Sequence, residues 1–278
     1  MEKDHKKMLI GIIIFLILAV VALAGYIVLD KKMKPKQVEL NSESIESKEE
    51  LSDKDINDLL DSLITNDGRA SIYFGKKISS EESSKELISF NIYSYMIENN
   101  IDLPTGNEPV KISKELINKF INEKYNTTIK YDLSSPDSSA VIDEVGCVSL
   151  YNYDTNNWAV GQIQTGCSDM SKNHILVKYE EDGDILYIYS KYVSCFAESG
   201  TTCQSDLSSN TNLFTCSVME EASENCPSEL NGSNYKKEIA EYSKYALNNM
   251  NDKLTTYKHT FKKVDGKYYW QSSELQTN

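Results

Sequence analysis

The run MLIGIIIFLILAVVALAGYIVL, from Met8 to Leu29, contains no charged side chain. At about 1.5 Å per residue, one helix of that length crosses a hydrocarbon layer of about 30 Å. The cleavable core of a secretory signal is shorter, about 7–15 residues. Ala22-Leu23-Ala24 offers a small-x-small cleavage pattern, so removal after Ala24 is the alternative. Apolar residues continue past that point as Tyr26, Ile27, Val28 and Leu29, which favours a retained anchor. The expected organisation is a cytoplasmic tail over 1–7, a transmembrane anchor over 8–29, a flexible stalk over 30–51 and a folded domain over 52–278. The stalk assignment rests on a polar stretch with neither aromatics nor periodicity.

Flanking charge does not orient the anchor. Lys3, Lys6 and Lys7 precede it, and Lys31, Lys32, Lys34 and Lys36 follow. The cysteines supply the orientation. Cys147, Cys167, Cys195, Cys203, Cys216 and Cys226 all lie in the second half of the chain. Their even number and order suggest three local disulfides, 147 with 167, 195 with 203 and 216 with 226, although other connectivities stay open. No C-x-x-C occurs and histidine is scarce, which speaks against zinc and dithiol redox chemistry. Six free buried thiols in a reducing compartment are the alternative. Disulfides persist where the surroundings oxidise, so the expectation is a cytoplasmic N-terminus and an extracytoplasmic domain.

The chain carries a net charge of −13; residues 1–29 sum to +1, so the part beyond the anchor carries −14. That balance repels phosphate and excludes nucleic acid as an expected partner. It also argues against broad contact with anionic lipid, leaving the lysines at 31–36 for head groups. Asn126-Thr127-Thr128 and Asn231-Gly232-Ser233 match the glycosylation acceptor pattern, which matters only in a eukaryotic secretory pathway.

Periodicity predicts helices first. Ser52 with Asp55 makes a capping-box start, Leu51 can staple onto Ile56, and Ile56, Leu59, Leu60, Leu63 and Ile64 share a face. A second helix is expected over 81–98, with Leu87, Ile88, Ile92, Tyr95 and Met96 as its apolar side. A third is expected over 114–125, capped by Ser113. The intervening L-P-T-G breaks structure and lacks the spacing and context of a sortase signal. From about Ile129 the period becomes two. A first hairpin has arms near 145–153 and 158–166, closing on Tyr153 against Trp158 and bringing Cys147 and Cys167 to its open end. A second turns through Asp182-Gly183, placing Val177 opposite Ile188 and Tyr179 opposite Leu186, with Ile175, Val177, Tyr179, Leu186 and Ile188 on a core face. Residues 204–232 suggest a disulfide-tied loop region, and a fourth helix is expected over 234–247. The last hairpin turns at Asp265-Gly266 and sets Phe261 opposite Trp270. The fold class is therefore α+β: a helical part over 52–126, then a disulfide-tied antiparallel sheet part over 127–278 with one late helix.

Catalytic signals are weak. His5 precedes the anchor, and His174 and His259 lie in expected strands with no accompanying protease, P-loop or dinucleotide motif. DKDINDLLD (53–61) lacks the glycine of a calcium loop, and its twelfth position is Ile64 where a glutamate is needed. EEDGD (180–184) is a turn that would hold a cation only weakly. No catalytic, cofactor or metal residue is assigned. Eighteen tyrosines and two tryptophans provide aromatic surface. Tyr151, Tyr153 and Trp158 cluster at one hairpin tip as a candidate binding patch for a protein, peptide or glycan. Tyr187, Tyr189 and Tyr192 lie on a mixed sheet face, and packing under the helices is the competing use.

TYKHTFKKVDGKYYWQSSE, with the upstream GC…TGC pair and the DGDILYIY hairpin, resembles uncharacterised single-pass, membrane-anchored extracytoplasmic proteins of AT-rich Gram-positive bacteria. Their closing hairpin reads Tyr-Lys-x-Thr-Phe-Lys-Lys, a turn, then Tyr-Tyr. The likeness covers about 145–274. It implies location and fold and carries no activity. Cys203, Cys216 and Cys226 stand outside it as a local elaboration. The expected role is a membrane-tethered binding or interaction domain at the cell envelope. A hydrolase-type envelope enzyme and a non-catalytic structural or assembly factor are the alternatives.

Overall fold

The first helix starts where its capping pattern places it. In the computed structural model, α1 spans Asp53–Asp61, and Ser52 and Asp55 cap each other reciprocally. The structure describes residues 51–66, 70–75, 77–104, 108–132, 141–145, 148–162, 170–197, 200–206, 212–217, 225–230 and 239–276; for 141–145, 151, 152, 162 and 217 it describes the backbone alone. Among these residues no helix is long and apolar enough to cross a membrane. The expected tail and anchor, and the stalk as far as residue 50, lie outside them, as do Cys147 and Cys167.

The architecture is mixed α+β; among the described residues, four helices and two antiparallel sheets lie in one compact unit, Leu51–Asn278. After α1 come β1 (Ile78–Ser79), α2 (Lys85–Glu98), β2 (Val110–Ser113) and α3 (Lys114–Tyr125). Then follow β3 (Val141–Val145), β4 (Val148–Asn152), β5 (Asn157–Gln162), β6 (Met170–Asp182), β7 (Ile185–Ala197), β8 (Gly200–Gln204) and β9 (Asn212–Ser217). Helix α4 (Ile239–Asn249) precedes the closing strands β10 (Thr256–Val264) and β11 (Lys267–Leu275). The small sheet has the order β2-β5-β4-β3. The large one runs β1-β11-β10-β7-β8-β9, with β6 paired to the other edge of β7. Strands β1 and β2 come from the stretch read as helical, so the helical and sheet parts interleave.

Helix α2 begins at Lys85 rather than near Glu81. Ser84 caps it by accepting the Leu87 N–H, while Ile78 and Ser79 pair with Ser273 and Ser272 of β11. Its burial differs from the one-sided stripe expected: Leu87 through Ser94 are buried without interruption, and so is Met96. A helix without a polar face is a central helix. Two of its buried polar side chains bond back to the helix itself: Ser89 donates to the Lys85 carbonyl and Asn91 to that of Leu87, while the buried Ser94 hydroxyl has no hydrogen-bond partner among the described residues. The Tyr125 hydroxyl donates to Asn91 Oδ1 and also meets Tyr73, and burial pushes both phenols well above their ordinary pKa. The core around α2 gathers Ile56 and Leu60, Ile117 and Ile121, Trp158 and Val160 of the small sheet, and Leu186, Ile188 and Trp270 of the large one.

Two hairpin registers differ from expectation. The β4–β5 pair sets Asn152, not Tyr153, opposite Trp158. The Asp154 carboxylate accepts the N–H groups of Asn156 and Asn157, which builds a loop over 153–156. Tyr153 and Trp158 therefore fall on opposite faces. The β6–β7 turn centres on Gly183-Asp184, with Gly183 at φ +62 in the first central position and Asp182 opposite Ile185. Tyr179 faces Ile188 instead of Leu186. A bulge between Leu176 and Lys178 then inverts the remaining strand, so Ile175 and Val177 point outward and Leu176 packs on the core. The β10–β11 hairpin has the expected register, Phe261 opposite Trp270. Asp265 at φ +50 and Gly266 at φ +80 make the turn.

The far end of the large sheet has its own core. Val193, Cys195, Cys203, Phe214 and Cys216 pack against Tyr242 and Ala246 of α4. The piece LFTCS within the expected loop region is strand β9, paired with β8. Tyr235 of the expected fourth helix lies outside the described residues. Two of the expected disulfides are present. Cys195–Cys203 links residues directly opposite across β7 and β8, with Cα atoms 4.1 Å apart, and Cys216–Cys226 spans 4.9 Å. Each closes a short loop, so replacing either pair with alanines should lower the unfolding free energy by about 2.5 kcal/mol. Urea unfolding with and without reductant measures this.

Candidate functional site

The histidines are the first place to look for chemistry. His259 on β10 is buried, with Nε2 2.9 Å from Ser190 Oγ and Nδ1 2.7 Å from Ser273 Oγ. Trp270 Nε1 donates to that same Ser273 oxygen at 2.9 Å. Ser273 then accepts from the indole and donates to Nδ1, which leaves Nε2–H for Ser190. Every member is satisfied by a neutral ring. Burial, helped by nearby His174, pushes the His259 pKa down to about 3. A serine beside an imidazole has the composition of a nucleophile and its base. Here Ser190, His259 and Ser273 have no solvent-accessible surface, so no substrate reaches them. The group is a polar lock in the core.

His174 on β6 lies beside it. Its side chain is 9% exposed, with Nε2 3.3 Å from the exposed Asp61 of α1. Burial lowers its pKa and Asp61 opposes that shift. Phe74 ties the two histidines together, stacked on Tyr192 with centroids 4.1 Å apart and edge-on to His259 at 4.9 Å.

The open concavity lies elsewhere, between the N-terminal end of α3, the segment 128–132 and the β4–β5 tip. It encloses about 520 Å³, within the range of small-ligand sites. Its walls are held from behind. Asn118 donates to the Lys114 carbonyl and accepts the Tyr131 N–H, while Asn122 donates to the Ile129 carbonyl and accepts the Ile129 N–H. The Lys114 N–H donates to the Asn156 carbonyl at 2.8 Å and clips the hairpin tip to the helix. The Lys114 ammonium sits 4.6 Å above the Trp158 ring and 3.7 Å from Asp132. Glu115, Lys130, Thr128 and Thr155 complete a lining of alternating charge and hydroxyl groups with one apolar member, Ile129. Ser113 Oγ is engaged as the helix cap, so the lining presents hydrogen-bonding groups and no activated nucleophile.

Of the aromatic residues singled out in the sequence, Tyr153 and Trp158 lie on the hairpin beside this cleft. Trp158 is fully buried beneath Lys114, and Tyr153 is 39% exposed with Lys111 4.0 Å over its ring. Tyr151 pairs with Ala159 through its backbone. Of the other trio, Tyr192 is buried in the core, while Tyr187 and Tyr189 lie on the opposite face of the large sheet. The cleft residues were missed in the sequence because segment 128–132, read there as the start of a period-two stretch, forms neither strand nor helix in the structure. Asn118 and Asn122, one helical turn apart on α3, were the available clue. Among the described residues no group of histidine, cysteine and carboxylate side chains has the arrangement of a metal site. No protein-family model, curated protein or solved structure matches the chain.

Proposed function

We propose that this protein is a membrane-tethered, extracytoplasmic binding domain of the cell envelope. On this reading the 8–29 run anchors it and the α3–hairpin cleft takes a small hydrophilic ligand. The observation that carries the location is the pair of disulfides, Cys195–Cys203 and Cys216–Cys226, which persist where the surroundings oxidise. The pre-positioned polar walls of the cleft support binding, since a site already ordered by Asn118 and Asn122 loses little entropy on capture. The lack of an accessible nucleophile–base pair in the lining favours binding over hydrolysis.

Two measurements test this. Alkaline phosphatase fused to the C-terminus should be active, and a fluorescent cytosolic reporter dark; the reverse pattern rejects the location. For the cleft, residues 51–278 are titrated calorimetrically against soluble oligosaccharides and short hydrophilic peptides. Any ligand found should bind at least tenfold more weakly to a folded Thr155→Trp variant, which fills the cavity. Unchanged affinity in that variant rejects the cleft.

A further inference from the structure

The net charge of the chain conceals an uneven distribution. The face of the large sheet turned away from α2 is covered by α4 at its far end, where Ser171 and Asn173 meet Ser243. At the other end it displays tyrosines under lysines. Lys258 Nζ lies 4.1 Å over Tyr187, Lys178 lies 4.5 Å over Tyr189 and Lys267 lies 5.1 Å over Tyr269. Register puts them together: Lys178, Tyr189 and Lys258 are neighbours across β6, β7 and β10, and Lys262 is opposite Tyr269. The acids on this face are Glu180, Asp182 and Glu274. Glu180 is neutralised by Lys178 at 2.6 Å, and Glu274 by Lys77 at 3.8 Å. Lys258, Lys262 and Lys267 have no ion-pair partner among the described residues. The bulge in β6 adds Ile175 and Val177 at the rim, 37% and 48% exposed.

We propose that this Lys/Tyr sheet face, rimmed by Ile175 and Val177, docks onto an anionic lipid surface. Tyrosine bodies and lysine stems suit the boundary between head groups and acyl chains, and lysine ammonium groups pair with lipid phosphates. Exposed aliphatic side chains find a use in a bilayer and none on a soluble polyanion. A second copy of the chain, meeting face to face, would bring the same positive charge. The surface is separate from the cleft. It rests on the proposed anchor only for the nearness of a membrane.

Residues 51–278 form a unit with its own cores, so vesicle co-sedimentation can use that unit. It should pellet with vesicles of equal parts phosphatidylglycerol and phosphatidylcholine, and not with phosphatidylcholine alone. Lys258→Glu with Lys262→Glu should lower the bound fraction about tenfold or more, as should high salt. Ile175→Ser with Val177→Ser should weaken binding while circular dichroism stays unchanged. Lys119→Glu on α3 and Thr155→Trp in the cleft should have no effect. Failure to pellet, equal binding to both vesicles, binding to dextran sulfate without binding to vesicles, or equal loss in Lys119→Glu would each overturn the proposal.

Discussion

Acidification from neutrality to about pH 3 should strip on the order of 4 kcal/mol from the unfolding free energy, chiefly through His259. In the unfolded chain this imidazole takes up a proton near pH 6.5; in the folded protein it waits until about pH 3. Between those values the unfolded state binds more protons, so stability falls as pH falls. Above about pH 6.5 both states are neutral and the contribution is complete. His174, also lowered by burial, bends the curve the same way, with Asp61 partly offsetting it. The other groups around the ring, Ser190, Ser273, Trp270, Phe74 and Tyr257, bring no charge in this range. Urea unfolding at a series of pH values measures the slope. A His259→Asn variant, less stable at neutrality, should lose most of the acid dependence. A wild-type profile flat from pH 7 to 4 would contradict a buried neutral imidazole.

The second large effect is expected at Phe74. Its ring is fully buried, stacks on Tyr192 and meets the edges of Tyr257 and His259 at 5.4 and 4.9 Å. Phe74→Ala removes that payload and leaves a cavity that rigid strands cannot close, at a loss of about 3–5 kcal/mol. Phe74→Leu should recover part of it. Equilibrium denaturation decides, and a loss under about 1 kcal/mol for the alanine variant would mean the site collapses without penalty.

Phe74 also shows what the sequence could and could not reveal. It sits in a stretch without periodicity, between α1 and β1, and nothing local marks it as the pivot of the core. Elements with local causes were legible: the Ser52 and Ser113 caps, the Asp265-Gly266 turn and the Phe261–Trp270 pair all follow from neighbours in the chain. Two local disulfides followed from cysteine order. Registers were less legible, because a single bulge near Val177 or an Asp154 side chain reaching back into its own loop moves every partner downstream. The burial of α2 was hidden for a different reason. Ser89, Asn91 and Ser94 look like a solvent face in one dimension, and only long-range packing turns them inward. The cleft depends on three segments that meet only in the folded chain, so no local pattern around Tyr153 and Trp158 could mark the surface beside their hairpin.

Strand β7 carries a final consequence. Leu186, Ile188 and Tyr192 serve the core around α2, while Val193 and Cys195 serve the core under α4. One continuous backbone is thus a shared spar between two packed masses. Stripping β7 from the sheet would therefore expose both packed masses at once, whereas α4 can lift away with the strand still in place.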